Sequence, residues 1–149
     1  MAQYKVIMHE FKFIKMNGLG NDFIVIDQRV SEFDLSEEQV KLICNRTKGV
    51  GCDQLIMIRK SQNNRDPLIK FFNSDGSEID ACGNGSRCVA NFLMKETKSE
   101  KINLTTRERT IACEKIDEVT VSVNMGKPKF KWNEIDRKST RLNSSHLLI

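Results

Sequence analysis

A chain of 149 residues with 39% hydrophobic and 30% charged residues is long enough to bury one ordinary core and too apolar to be a disordered tail. Its formal net charge of +4 comes from Lys and Arg dispersed among Asp and Glu, so no basic block stands ready to track phosphates and nucleic acid is not an expected partner. The longest apolar runs, 23–26 and 55–58, fall far short of the roughly 20 residues a bilayer span needs, and residues 1–15 carry no signal-peptide pattern, so no membrane partner and a cytoplasmic location are expected.

In chain order, FKFIKM at 11–16 alternates apolar and charged residues as a half-buried strand does, and Phe23 to Asp27 form a more continuous apolar strand, with NGLGND between them as a turn. Ser36 and Gln39 spell a capping box ahead of Val40, Leu42, Ile43 and Cys44, which predicts a helix over about 36–47, stopped by Gly49 and Gly51. Strands are predicted at 54–59 and 68–73, separated by polar SQNNRDP, whose Pro67 suits a strand start. An Asp-Gly turn follows in SDGS. From Gly83 onward Val89, Ala90, Phe92, Leu93 and Met94 predict a helix to about Lys95. INLTT, TIACEKI and VTVSVNM then read as three short strands. The expected class is α+β: a mostly antiparallel sheet wrapped around or against one buried helix.

The last stretch reads DRKSTRLNSSH over 136–146, with no apolar periodicity. Those eleven residues match, in order, the translation of a common sequencing-library adapter. The expectation is that 136–149 is a non-native tail to be set aside from fold reasoning, and that native sequence runs to about Ile135.

Three Gly-rich clusters stand out: NGLGND at 17–22, GVGCDQ at 49–54 and FFNSDGSEIDACGNGSRC at 71–88. No third glycine completes a dinucleotide fingerprint and no GK[ST] completes a P-loop, so these read as tight turns that expose backbone amides beside Asn and Gln side chains. The five cysteines, at 44, 52, 82, 88 and 113, form no CxxC pair. Reduced thiols are expected, with no metal site. Cys44, Cys52, Cys88 and Cys113 are predicted core residues. Cys82 differs, because it precedes Gly83, Asn84 and Gly85 at the predicted start of a helix. Free N–H groups and the helix dipole there favour negative charge, one of few ways to favour a thiolate without a histidine neighbour. The same amides would hold a carboxylate, so the residues suggest abstraction of a proton next to a carboxylate. On residue chemistry alone a small apolar side chain at a helix cap is the alternative reading of Cys82, and backbone-bonded turn residues that of Asn21 and Asn73.

KMNGLGNDFIVID at 15–27, GVGCDQLI at 49–56 and FFNSDGSEIDACGNGSRCVA at 71–90 resemble the diaminopimelate epimerases in order and spacing, over about residues 11–128. The resemblance implies a cofactor-independent isomerase that interconverts LL- and meso-diaminopimelate, on the route to lysine and peptidoglycan. It assigns one acid/base cysteine to Cys82 and substrate contacts to Asn21, Gln54, Asn73, Gly83 and Asn84. It also implies two similar halves, each a sheet barrel around a central helix, with a second cysteine in the other half and a homodimer for the full-length protein. On this reading residues 1–10 are an extension, 11–135 the N-terminal lobe, and the 149 residues alone are expected not to epimerise. Departures from the family pattern are Asn17, where many members have His, and Arg109, where a turn glycine is usual. Other isomerases of the same fold, of the phenazine-biosynthesis or proline racemase type, and a non-catalytic amino-acid-binding half-domain are the competing readings.

Overall fold

A computed structural model describes residues 10–61 and 66–127. Most of the expected N-terminal extension, the centre of the SQNNRDP loop, the lobe boundary at 135 and the adapter-like tail lie outside the described residues. The elements are β1 (Ile14–Gly18), β2 (Asn21–Asp27), α1 (Glu37–Cys44), β3 (Gln54–Arg59), β4 (Leu68–Asn73), β5 (Glu78–Ile79), α2 (Gly83–Thr97), β6 (Lys101–Thr105), β7 (Thr110–Lys115) and β8 (Val121–Val123).

Among the described residues all strands belong to one sheet, in the order β1-β2-β3-β4-β6-β7-β8, with β5 paired to β4. Neighbours run antiparallel except β2 with β3 and β4 with β6, which are parallel. The sheet is open, and α2 packs against its two edge strands, β1 and β8, as well as β2, β6 and β7. Phe23, Val25, Ile56, Ile58, Ile69 and Phe71 meet Val89, Ala90, Leu93 and Met94 of α2 in the main core. On the opposite face of β2 and β3, Ile24, Ile26, Leu55 and Met57 meet Val40 and Cys44 of α1 in a smaller one. Both faces of these two strands are therefore covered, which is why 23–26 and 55–58 read as unbroken apolar runs. The strands β6 and β7 bury alternate residues and keep the period of two.

Several boundaries differ from the sequence expectation for local reasons. The first strand begins at Ile14 rather than at residue 11, because Phe11 leaves the ladder to pack on Phe33, ring centroids 5.6 Å apart. The turn contracts from six residues to two, Leu19 and Gly20, since Gly18 already pairs with Asn21. Both turn residues have positive φ, 52° and 88°, as a type I′ hairpin requires. The capping box of Ser36 and Gln39 starts α1, but the helix ends at Cys44. Asn45 caps it and turns its side chain onto the amides of Thr47 and Lys48, so the chain leaves the helix before either glycine. The last predicted strand shortens to Val121–Val123, because Asp117 accepts from the amides of Val119 and Thr120 and bends the chain there.

Candidate functional site

The topology brings the starts of β2 and β3, the end of β4 and the start of α2 to one end of the sheet. Register does this: Phe23 pairs in parallel with Gln54, and Gln54 pairs antiparallel with Asn73. Asn21 opens β2, Gln54 opens β3 and Asn73 closes β4. Cys82, half-buried, is the N-cap of α2, with its Sγ accepting a hydrogen bond from the Gly85 amide at 3.4 Å. Helix geometry leaves the amides of Gly83 and Asn84 without an intrahelical acceptor. A Cβ placed on Gly83 would meet nothing within 4 Å, so this backbone faces open space.

The side chains at this end are tied to one another. Asn84 Nδ2 donates to Asn21 Oδ1 at 2.9 Å, and Arg87 donates to Asn84 Oδ1 at 2.8 Å, so the Asn84 amide group is committed on both sides. Gln54 Nε2 donates to Asn73 Oδ1 at 3.0 Å, and Asn73 Nδ2 to Ser77 Oγ at 3.2 Å. All six residues singled out from the sequence thus stand at one end of the fold.

A charged clamp next to them was not anticipated. Arg46 donates to Asp22 at 2.8 Å and to Asp53 at 2.9 Å, the Asp22 amide donates to Asp53 at 2.8 Å, and Asn17 donates to Asp22 at 3.0 Å. The Arg46 guanidinium, then the Asn17 amide, hold the Asp22 carboxyl below the usual carboxylate range. For Asp53 the Asp22 amide leads, followed by Arg46, with Asn21 also donating to it. The available signal was the placement of each acid directly beside a candidate ligand, in GND and CDQ. A second brace lies on the approach to Cys82. Asp80 accepts from Thr106 Oγ1 at 2.7 Å, from the Glu108 amide at 3.2 Å and from Arg109 Nε at 2.8 Å. Arg109 thereby pins the β6–β7 turn to the segment that leads into α2.

The other four thiols are buried: Cys44, Cys52 and Cys113 at 3% exposure and Cys88 at 7%. Burial pushes the Cys113 thiol up to about 11 and also raises Cys88. Ser86, on the first turns of α2, is fully buried and its Oγ has no hydrogen-bond partner. A cavity of about 780 Å³ opens at the opposite end of the sheet, between Asp27, Arg29, Arg59 and Glu96. Its two arginines are spent on Asp27, Glu96 and Asp34, and no candidate residue lines it.

The model of the diaminopimelate epimerase family matches residues 13–131. The chain belongs to the diaminopimelate epimerase family. Diaminopimelate epimerase of Pelagibacter ubique is 45% identical to this family member over 126 residues, 85% of this chain and 45% of the relative. That of Phenylobacterium zucineum is 43% identical over 123 residues, 83% and 44% of the two chains. The chain spans somewhat under half the length of these epimerases. Among solved structures, a methylitaconate-delta-isomerase aligns with a TM-score of 0.55 at 15% identity, over 80% of this chain and 38% of its own. A phenazine biosynthesis protein of the PhzF family from Bacillus anthracis aligns at 0.51 and 18% identity, over 76% and 38%. These likenesses support the fold of the epimerase-family chain and nothing finer. Among the described residues no helix is long and apolar enough to cross a membrane.

Proposed function

We propose that residues 11–135 are one lobe of a diaminopimelate epimerase, with Cys82 as the acid/base on one face of the substrate. The observation that carries this is the half-buried Cys82 at the N-cap of a 15-residue helix whose next residue, Gly83, faces open space. A substrate carboxylate laid on the amides of Gly83 and Asn84 is stabilised by the helix dipole. Its α-carbon then lies within reach of the thiolate. Loss of the α-proton to Cys82 leaves charge spread into the carboxylate, where the same amides hold it more strongly than in the ground state. Asn21, Gln54 and Asn73 would orient the amino-acid groups around it.

Inversion needs a second acid on the opposite face of the α-carbon, and Cys82 serves only one face. The second thiol would come from a second half, for which the relatives' greater length leaves room. The 149 residues alone would then bind substrate without inverting it. Small-molecule chemistry without a cofactor, in the cytoplasm and in a homodimer of the complete protein, completes the reading. The adapter-like residues 136–149 would take no part.

The test is NMR of the 149-residue chain titrated with meso-diaminopimelate in H2O. Shifts confined to the amides of Gly83 and Asn84 and the side-chain amides of Asn21, Gln54 and Asn73, with no LL isomer formed, are expected. Shifts elsewhere, or none at millimolar ligand, overturn the site, and inversion by the chain alone overturns the two-thiol requirement.

A further inference from the structure

The Sγ atoms of Cys44 and Cys52 lie 3.3 Å apart, sharing a hydrogen bond inside the smaller core. Backbone, rather than attraction between sulfurs, sets this distance. The Cys52 amide donates to the Cys44 carbonyl at 3.1 Å, and the amides of Val50 and Gly51 fold back onto the Ile43 carbonyl at 3.0 Å. The loop between the two cysteines carries Arg46, the cation of the clamp on Asp22 and Asp53. No other two thiols hydrogen-bond to each other among the described residues.

We propose that Cys44 and Cys52 are an oxidation site, a thiol pair that closes to an intrachain disulfide on reaction with a hydroperoxide and so tightens the loop that holds Arg46. The sulfurs have to approach by roughly 1.3 Å to reach bonding distance, a movement within side-chain reach. Access comes from α1, which buries only Val40 and Cys44. A helix of eight residues is marginal on its own and lifts away without global unfolding. Of the two sulfurs, Cys52 is the attacking one. The Ile24 backbone amide hydrogen-bonds to Cys52 and favours its thiolate, and the Cys44 thiol, its partner across the 3.3 Å contact, can turn its proton toward that sulfur.

The chemistry balances in two steps. The Cys52 thiolate attacks the terminal oxygen of the hydroperoxide, the O–O bond breaks, and the leaving alkoxide takes up the thiol's proton as an alcohol, giving a sulfenic acid. Cys44 then attacks that sulfur, the S–O bond breaks, and the hydroxide leaves as water with the Cys44 proton. Two electrons pass from the thiol pair to the peroxide. None of this depends on the catalytic reading of Cys82.

The experiment treats the folded 149-residue chain with hydrogen peroxide, unfolds it in iodoacetamide and maps the peptides by mass. Cys44 and Cys52 should leave the alkylated pool together, joined and lighter by two hydrogen atoms, while Cys113, equally buried at 3%, still alkylates. If both remain alkylatable after Cys82 has been consumed, or if the linked pair is any other, the proposal fails. In a Cys44→Ala chain, Cys52 should persist as a sulfenic acid trapped by dimedone, and in a Cys52→Ser chain Cys44 should survive as a thiol. Loss of Cys44 at the wild-type rate in that second chain overturns the order of attack. Hydrogen exchange of the 45–51 amides should slow by about tenfold in the oxidised chain, and unchanged exchange removes the coupling to Arg46.

Discussion

Gly83 and Gly85 stand two positions apart on the first turn of α2 and answer to different demands. A Cβ on Gly85 would lie 3.0 Å from Ile56 Cδ1, 3.1 Å from Phe71 Cε1 and 3.4 Å from Phe23 Cε1, so packing of the helix on the sheet requires the glycine. A Cβ on Gly83 meets nothing. Gly85→Ala should therefore destabilise the chain by about 1–2 kcal/mol, overpacking outweighing the gain in helix propensity. Gly83→Ala should leave the urea midpoint unchanged or slightly higher and weaken diaminopimelate binding at least tenfold. Equal stability losses for the two variants would mean that Gly83 also serves packing. Leu19 presents the reverse case, a branched residue at φ 52° that is 82% exposed. Left-handed backbone costs a residue of this kind roughly 1–2 kcal/mol, and no burial offsets it. Leu19→Asn, with the residue type favoured at the first position of a type I′ turn, should raise the urea midpoint by an amount worth about 1 kcal/mol. No change would show that Leu19 has a compensating partner.

At the scale of elements, α1 and its following loop do more than cover one face of the sheet. They deliver Arg46 to two carboxylates, Asp22 at the start of β2 and Asp53 just before β3, and so fix the spacing of Asn21 and Gln54. Both carboxyls lie below the ordinary value of 3.8 in the folded chain. The folded state therefore binds fewer protons than the unfolded state as the pH nears that value. The stabilisation is fully present above the unfolded pKa and is lost as the pH falls through the lower, folded pKa. The urea midpoint should fall on going from pH 6 to pH 3, and Arg46→Ala should flatten that slope. A variant as steep as the native chain would place the acid sensitivity in other carboxyls. Little of this clamp was legible beforehand, since its members sit 24 and 31 positions apart and a side chain's partner depends on strand order. The roles of Asn21, Gln54, Asn73, Gly83 and Asn84 came only from the family resemblance, but the strand ends that carry Asn21, Gln54 and Asn73 were legible, because turn-forming Asn and Gly beside apolar runs mark them. The two-residue strand Glu78–Ile79 was not, because its identity comes only from pairing with Phe71 and Phe72.

The whole molecule is layered unequally, and the period of the sequence says so. Runs with every residue buried, 23–26 and 55–58, belong to strands covered on both faces, whereas the alternation in β6 and β7 marks strands covered on one. Which helix covers which face was not written in that period. The 15-residue α2 anchors the larger cluster, with seven buried residues of its own, while the eight-residue α1 contributes two. Buried apolar area sets the free energy of local opening. Native-state hydrogen exchange should therefore rank the amides of α1 and the 45–51 loop well below those of β3 and α2. The α1 amides should exchange through openings that depend little on denaturant, because little surface is exposed. The amides of Leu55 to Ile58 and of Val89 to Met94 should follow global unfolding and share its denaturant slope. If α1 instead exchanges with the same slope and free energy as β3, the smaller layer opens only with the whole molecule. Access to Cys44 and Cys52 would then require global unfolding, and oxidation of the pair would run at the unfolding rate.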